Sequence, residues 1–377
     1  MVNVVEVKTK KQQKEFLNFP LRMYKNNPYF VPPLYADEAK IFRKDYVYYD
    51  TSEAVYFLAE RDGKTVGRIS GILQRSSNEK WDQKRVRFTR FDCIDDAEVA
   101  KALFDAVENF AKERGMTEVV GPLGFSDLER EGLLIDGFEE LSTFEEQYNF
   151  PYYGKLIEAC GYGKEVDWIE SKLSYPQDEG GKMEKMADYI MKRYNLHFGE
   201  AKSTKDFLDR YADDFFDLLD RSYEKIYGTV PFTDGMKKMM MDNFKLIINI
   251  NYVAVVLDEN NKAVCLGLCF PSLAKAMQKS KGHLTPAALI RVLNALRHPK
   301  IIDLALVGVD PEYENRGIST VVVAELMKML RDRGVDYAET NLNLEDNYSI
   351  RNAWKRFDQV EHKRRRSYVK SLAENEK

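Results

Sequence analysis

The sequence predicts an α/β protein of the mixed-sheet (α+β) kind, with two domains in tandem. Its 377 residues suffice for two domains of ordinary size, and strand-like and helix-like segments alternate along it. The order of segments in the first half also returns in the second, which favours a diverged internal duplication over two unrelated α/β domains. The stretch PQDEGG, residues 176–181, has the composition of a linker, so we predict domains at 1–178 and 179–377.

In the first half, Asp62-Gly63 between two apolar runs predicts a hairpin, because this dipeptide favours a tight turn. Apolar residues with a 3.6-residue period predict a helix over 97–114, which ends at Gly115. The remaining segments follow from strand-like or helix-like patterning. The predicted strands are 4–7, 54–60, 65–73, 85–91 and 117–120, and the first helix is 11–24.

The second half repeats this order with different residues. A hairpin turns at 259–261, and the helix predicted over 319–333 ends at Gly334. A helix over 285–296 has no counterpart in the first half and is interpreted as an insertion. The other predicted strands are 196–198, 301–309, 337–341 and 362–370, and the other helices are 202–225, 234–244 and 347–357.

Composition excludes several classes of protein. Lys and Arg total 57 against 61 Asp and Glu, a net charge of −4, so neither a nucleic-acid partner nor a membrane partner is expected. No apolar run reaches the ~20 residues of a membrane span, and the first residues lack a signal-peptide core. The four cysteines and four histidines are too scattered for a disulfide framework or a zinc site. We therefore expect a cytoplasmic protein without a metal.

The densest motif is LALVGVDPEYENRGISTVVVAELMKMLRDRG, residues 304–334. A β-branched strand leads through Asp310 and a polar turn to Gly317, which opens an amphipathic helix. Unpaired N–H groups and the helix dipole favour a phosphate at such an N-terminus. Gly317 permits close approach of a diphosphate, and Ser319 and Thr320 can cap the helix or donate a hydroxyl to the anion.

This segment resembles the GNAT superfamily of acyl-CoA-dependent N-acetyltransferases. The family signature is V-x-P-x-Y followed by [Q/R]-x-x-G-x-[G/A], and the matching residues here are Val309, Pro311, Tyr313 and Gly317. Glu314 stands where the family has Gln or Arg, and Ser319 where it has Gly or Ala. Glu314 places a negative charge near the expected diphosphate, with Arg316 as a compensating charge.

The resemblance also implies an acyl-CoA site. In the family, backbone groups of the splayed strand hold the pantetheine arm, and an Asn precedes a helix that carries a Tyr seven residues on. Here Trp354 replaces that Tyr, which acts in the family as the general acid for the thiolate, so Tyr348 and Tyr313 are the nearest substitutes by sequence. The implied acyl-CoA-binding residues are Val307, Val309, Asn315, Arg316, Gly317, Ile318, Ser319, Thr320, Asn347 and Trp354.

Acidic residues on the strands that flank the expected cleft are candidate bases. Asp303 and Glu339 could each deprotonate an amine, directly or through water. The alternative for each is a solvated or hydrogen-bonded structural carboxylate. With Tyr348, they make up the candidate catalytic set.

The N-terminal half resembles a degenerate copy of the same unit. Its strand RVRFTRF is followed by DCIDDAEVAKALF, which has no glycine, and Asp92, Asp95 and Asp96 would repel a diphosphate. The strings E-x-x-G-L-L-I-D-G-F and N-x-P-Y-Y resemble bacterial tandem-GNAT proteins of undefined substrate. We therefore expect CoA to bind the C-terminal half only, and the N-terminal half to serve the acceptor.

The resemblance implies an acyltransferase that moves an acetyl or other acyl group from CoA to an amine by direct transfer. Acetyl-CoA or another acyl-CoA would be the co-substrate, and a small molecule or a peptide would carry the amine. Two alternatives stay open: a non-catalytic acyl-CoA-binding or interaction module, and a transferase that uses aminoacyl-tRNA. The acceptor, the acyl chain length and the oligomeric state cannot be derived from the sequence.

Overall fold

The computed structural model describes residues 1–314 and 316–373. The strands are, in chain order, β1 (Asn3–Glu6), β2 (Ser52–Arg61), β3 (Lys64–Gln74), β4 (Arg85–Cys93), β5 (Glu118–Gly121), β6 (Leu133–Asp136), β7 (Gly163–Ser174), β8 (His197–Phe198), β9 (Val253–Leu257), β10 (Ala263–Pro271), β11 (Ile301–Val309), β12 (Tyr337–Glu339), β13 (Asn343–Leu344) and β14 (Asp358–Ser371).

The helices are, in chain order, α1 (Lys10–Met23), α2 (Tyr35–Glu38), α3 (Arg75–Trp81), α4 (Ala97–Glu113), α5 (Tyr153–Ala159), α6 (Lys182–Arg193), α7 (Thr204–Ser222), α8 (Asp234–Ile247), α9 (Ala274–Ser280), α10 (Pro286–Arg297), α11 (Ser319–Arg333) and α12 (Tyr348–Trp354). Short 3-10 turns lie at Ala39–Phe42, Val47–Asp50, Ile250–Tyr252 and Pro311–Tyr313.

The chain divides into two compact units. The first comprises Met1–Ile169, Ala274–Ile290 and the residues from Lys363 onward. The second comprises Glu170–Leu273 and Arg291–His362. The predicted domain boundary between 178 and 179 concerns independently folding domains and stays a prediction.

In the first unit, β1 to β4 form an antiparallel series, and β4 then pairs in parallel with β5. Asp62 and Gly63 have φ values of 50° and 71°, so the predicted β2–β3 hairpin is confirmed, with the left-handed turn residues that such a hairpin requires. The amphipathic helix α4 packs its apolar stripe on this sheet, with Leu103, Phe104 and Val107 fully buried.

The second unit repeats the pairing pattern. Strands β9, β10 and β11 are antiparallel neighbours, and β11 pairs in parallel with β12. Beyond β12 lies the second half of β7, where Ala338 pairs with Leu173. The helix between β11 and β12 is α11, the counterpart of α4 between β4 and β5. The predicted mixed α/β fold with a repeated order is confirmed.

The closing strand has partners that the sequence did not predict. The order of segments led us to expect β14 at the end of the second half, but it pairs with β5, with Tyr368 opposite Gly121, and with β6. Residues 364–371 of β14 thus belong to the sheet of the first unit. Local patterning predicts that a segment is a strand, whereas its neighbour is decided by contacts that are distant in sequence. Sequence analysis also did not predict the helix α6, Lys182–Arg193.

A buried polar network holds the N-terminal helix α1 and the strands of the first unit together. The Asp92 carboxylate accepts from Arg68 Nε at 2.8 Å and from the Tyr24 hydroxyl at 2.8 Å. The Tyr153 hydroxyl lies 3.3 Å from the same carboxylate. Burial raises the pKa of Asp92, an effect that the Arg68 charge opposes. Asp92 therefore has a structural role in place of the repulsive one expected near a diphosphate.

We expect Asp92→Ala to destabilise the first unit strongly, because it leaves the Arg68 charge buried without its carboxylate. Breaking such a pair costs about 3–5 kcal/mol. The matched control is Asp105→Ala, which removes an exposed i,i+4 pair with Lys101 and should cost about 0.5 kcal/mol or less. Urea unfolding followed by circular dichroism measures both. Equal losses in the two variants would contradict a structural role for Asp92.

Candidate functional site

Two neighbouring strands of the second unit separate part-way along their length. Strands β11 and β12 pair over three positions, ending with Asp303 opposite Glu339. Strand β11 then continues to Val309 beside β10, while Thr340 turns to β7 and its N–H donates to the Ser171 carbonyl at 2.9 Å. The splayed strand expected around Val307 and Val309 is therefore present. It leaves one edge of β11 open beyond Asp303.

The turn after β11 leads into the open end of α11. Gly317 has a φ of 77°, a left-handed conformation in which a larger residue costs about 1 kcal/mol or more. Helix α11 begins without a side-chain cap, and the Thr320 and Val321 N–H groups donate to the Gly317 and Ile318 carbonyls, at 2.9 Å each, in a tight first turn. Arg316 is exposed and stacks on the Tyr313 and Tyr194 rings, 4.7 and 5.6 Å from their centroids. Asn315, predicted to bind CoA, lies outside the described residues.

The first turn of α11 has a cationic neighbour that the sequence did not indicate. Arg356 Nη1 donates to the Thr320 hydroxyl oxygen at 3.0 Å. The predicted capping role of Ser319 and Thr320 is wrong, because no side chain caps α11. Ile318, which was predicted to bind CoA, is buried in the core. Arg356 thus places a guanidinium beside the first turn of α11, where the helix dipole also favours an anion. It follows Thr320 by 36 residues, so no local motif connects the two.

The candidate bases lie where the strands separate. Asp303 and Glu339 face each other in register on parallel strands, so their side chains lie on the same face of the sheet, and both are buried. Glu339 Oε1 is 3.1 Å from Nε2 of His362, which is also buried. Burial, and then the charge of Asp303, raises the pKa of the Cys269 thiol to about 12. The structure therefore brings together two carboxylates and an imidazole.

His362 was missed by sequence analysis. It follows Glu339 by 23 residues and begins a run of basic residues, so nothing in its neighbourhood indicated a carboxylate partner. A histidine paired with a carboxylate is a common general base, because the carboxylate fixes the ring orientation and stabilises the imidazolium. The closeness of Glu339 and His362 therefore makes the two side chains candidates for a general base.

The predicted residues of the next element have identifiable structural roles. Asn347 caps α12 by accepting from the Ile350 N–H at 3.3 Å. Trp354 is buried in the core of the second unit, and its indole N–H donates to Asn343 at 2.7 Å. Tyr348 is 67% exposed. The roles of Asn347 and Trp354 in CoA binding, and of Tyr348 in catalysis, stay predictions.

A second tyrosine lies closer to the splayed strand. The Tyr223 hydroxyl, at the end of α7, donates to the Val307 carbonyl at 3.2 Å. Helix α7 approaches β11 closely here, since a Cβ on Gly308 would lie 3.0 Å from Ser222 Oγ. The hydroxyl thus lies on the backbone segment expected to contact pantetheine. Sequence analysis missed Tyr223 because the family motifs lie elsewhere in the chain.

Comparisons with known proteins address the fold. No protein-family model matches the chain. Protein YghO of Escherichia coli strain K12 is 26% identical over 384 residues, covering 96% of this chain and 94% of that protein. Bacterial ceramide synthase of Caulobacter vibrioides is 26% identical over 381 residues, covering 98% of each. A solved tandem GNAT protein from the clavulanic acid biosynthesis pathway matches 100% of both chains, with a TM-score of 0.56 and 11% identity. The chain has the tandem GNAT fold.

The two GNAT-like units differ at the helix that follows the fourth strand of each pattern. In the first unit, the Asp96 side chain caps α4, accepting from the Glu98 and Val99 N–H groups at 2.9 and 3.2 Å. Asp96 also pairs with Arg61 at 2.7 Å. The donors that a phosphate would use are thus taken by the protein's own carboxylate. In the second unit, no side chain caps the equivalent helix, α11.

The second GNAT-like unit also contains a pocket of about 450 Å³ away from these groups. It lies between β9, β10 and one face of α11, and its lining mixes apolar residues such as Met329 with charged ones such as Arg333. None of the predicted site residues lines it. Among the described residues, no cluster of His, Cys, Asp and Glu could hold a metal ion, and no helix is long and apolar enough to cross a membrane.

Charge changes at the α11 turn should alter CoA affinity in opposite directions. We expect Arg356→Gln to weaken CoA binding about tenfold, because it removes a guanidinium from the phosphate end. Glu314→Gln should tighten binding about threefold, since Glu314 is exposed on the same turn and repels the diphosphate. Calorimetry at low and high salt measures both, and both effects should shrink as salt screens the charges. Two CoA sites per chain, or the same direction of change in both variants, would contradict this assignment.

Proposed function

We propose that this protein transfers an acyl group from acyl-CoA to an amine, using the second unit as the CoA-binding unit. The observation that carries the proposal is the N-terminus of α11, which has no side-chain cap, has Arg356 beside it, and is reached through the left-handed Gly317 after the splayed β11. These features supply phosphate donors at one end and free strand backbone along the approach. The tandem GNAT fold supports acyl transfer in general.

In this proposal, acyl-CoA lies along the gap between β11 and β12. Its diphosphate meets the N–H groups of α11 with Arg356 and Arg316 nearby, and its amide-containing arm follows the open edge of β11. The thioester then reaches the end of the β11–β12 pairing, where Asp303 and Glu339 lie. Positioning of the two reactants supplies much of the rate enhancement, because it replaces a bimolecular encounter.

The proposed reaction is a direct attack. The lone pair of the neutral amine forms a bond to the thioester carbonyl carbon, and the carbon–sulfur bond then breaks to release CoA thiolate. The proton of the amine passes to the Glu339–His362 pair, in which Glu339 Oε1 lies 3.1 Å from His362 Nε2. Since a thiol of ordinary pKa, about 8.5, is a fair leaving group, a hydrogen bond to the departing sulfur is sufficient.

One relative suggests the acceptor class that we propose. A ceramide is the N-acylated form of a long-chain amino alcohol, and the relative named bacterial ceramide synthase aligns with nearly the whole chain. We therefore propose a long-chain amino alcohol as the first acceptor to test, ahead of short amines and peptide N-termini.

The test is a matrix of acyl-CoAs of increasing chain length against these three amine classes. Release of CoA thiol and the mass of the N-acyl product are measured. Glu339→Gln and His362→Gln should each lower kcat by about 10²–10⁴, with CoA affinity unchanged. The matched control is Glu361→Gln, which changes an exposed carboxylate beside His362 and should retain activity. If CoA binds but no combination of acyl-CoA and amine is turned over, the result would favour the alternative of a non-catalytic acyl-CoA-binding module.

A pair of tyrosine variants identifies the group that assists the thiolate. Tyr348→Phe should lower kcat about tenfold or less, because Tyr348 is largely exposed and a thiolate departs readily. Tyr223→Phe should have the larger effect, since its hydroxyl lies on the splayed strand. Single-turnover rates with saturating acyl-CoA measure the step directly. A loss beyond about a thousandfold in Tyr348→Phe would make Tyr348 the catalytic acid.

A further inference from the structure

Helix α10 presents its large apolar side chains to solvent. Leu289, Ile290 and Leu293 are 50%, 69% and 43% exposed, whereas Ala288 is completely buried. At 100° per residue the three exposed side chains fall within an arc of about 100°. Leu284, in the turn before the helix, is also exposed at 55%. These four residues form the α10 apolar face. A helix that packs in a core places its large apolar residues inward, so here the arrangement is reversed.

The sequence around this face is uniformly basic. Between residues 274 and 300 the chain has six Lys and Arg and no Asp or Glu, although its net charge is −4. Five of the six basic residues are exposed, and they are Lys275, Lys279, Lys281, Arg297 and Lys300. An apolar stripe bordered by Lys and Arg is the pattern of a helix that lies in the interface of an anionic membrane.

The turn before α10 is held firmly. The Tyr35 N–H donates to the Gly282 carbonyl at 2.8 Å, and the Tyr35 ring lies 4.5 Å from the His283 ring. A Cβ on Gly282 would lie 2.1 Å from the Pro33 carbonyl oxygen, so the turn fits closely against this loop. Leu284, Leu289 and Ile290 therefore follow a turn that is fixed within the first unit, which reduces the ordering cost of binding.

We propose that the α10 apolar face docks onto an anionic lipid surface, with the flanking lysines and arginines near the head groups. The apolar side chains enter the boundary of head groups and acyl chains, and each basic residue near the surface adds an attraction that salt screens. This surface goes beyond the proposed acyl transfer, since vesicle binding needs no substrate. It also departs from the expectation of no membrane partner, which rested on the charge of the whole chain.

The test uses the full chain and vesicles of phosphatidylcholine, alone or mixed equally with phosphatidylglycerol, in a flotation assay. We expect the mixed vesicles to bind at least about tenfold more tightly, with the preference lost at high salt. Leu289→Ser/Ile290→Ser/Leu293→Ser should weaken that binding at least about tenfold. The matched control is Met186→Ser/Tyr189→Ser, which removes two exposed apolar side chains from α6 and should bind like the unmodified chain.

A second variant tests the electrostatic contribution to vesicle binding by itself. It also provides a test if the triple variant fails to fold. Lys279→Glu/Lys281→Glu should lose binding to the mixed vesicles at least about tenfold and keep any binding to neutral ones. Three results would overturn the proposal: no flotation of the unmodified chain with mixed vesicles, equal flotation of the triple variant, or a dimer that the triple variant dissociates in light scattering. The last result would assign the face to a second copy of the chain. Acyl-transfer assays in detergent are independent of all three.

Discussion

The end of pairing between β11 and β12 is the constraint on which the chemistry proposed for the second unit depends. Backbone donors and acceptors inside a protein need partners, and a strand that leaves its neighbour must find others. Beyond Glu339 the chain finds them on β7, where Thr340 and Ser171 exchange two hydrogen bonds. Within residues 1–314 and 316–373, the pairing of β11 with β12 ends at Asp303, and the Tyr223 hydroxyl donates to the Val307 carbonyl farther along β11. The same divergence that opens the edge of β11 places two buried carboxylates at its inner end.

The two units differ in whether a side chain caps the helix that begins the proposed phosphate site in the second unit. Both have a helix after a strand that pairs in parallel with the next one, so the N-termini of α4 and α11 occupy the same place in the pattern of their units. The Asp96 side chain caps α4, which stabilises the helix by about 1 kcal/mol. The cap occupies the Glu98 and Val99 N–H groups, so they cannot donate to a phosphate. Helix α11 gives up that stabilisation and begins after a left-handed glycine instead. An uncapped helix end is a local loss of stability that a bound anion would offset.

Features set by neighbouring residues could be predicted from the sequence. The hairpin at Asp62-Gly63 and the limits of α11 at Ser319 and Arg333 depend on turn geometry and apolar period, which are local. The splay of β11 could be predicted only through the family resemblance. The partners of β14, the burial of Trp354 and the His362–Glu339 pair depend on contacts between distant segments. No periodicity carries that information, so these required the structure.

The effect of charge also depends on distance, so local charges matter more than the total. A net charge of −4 describes the field far from the molecule, and at ordinary ionic strength that field is screened within about 10 Å. A bound phosphate or a lipid head group interacts with groups nearer than this. At the start of α11 these are Arg316 and Arg356 against Glu314, and along residues 274–300 they are basic without exception. The total charge therefore says little about either surface, whereas the distribution of charge along each element does.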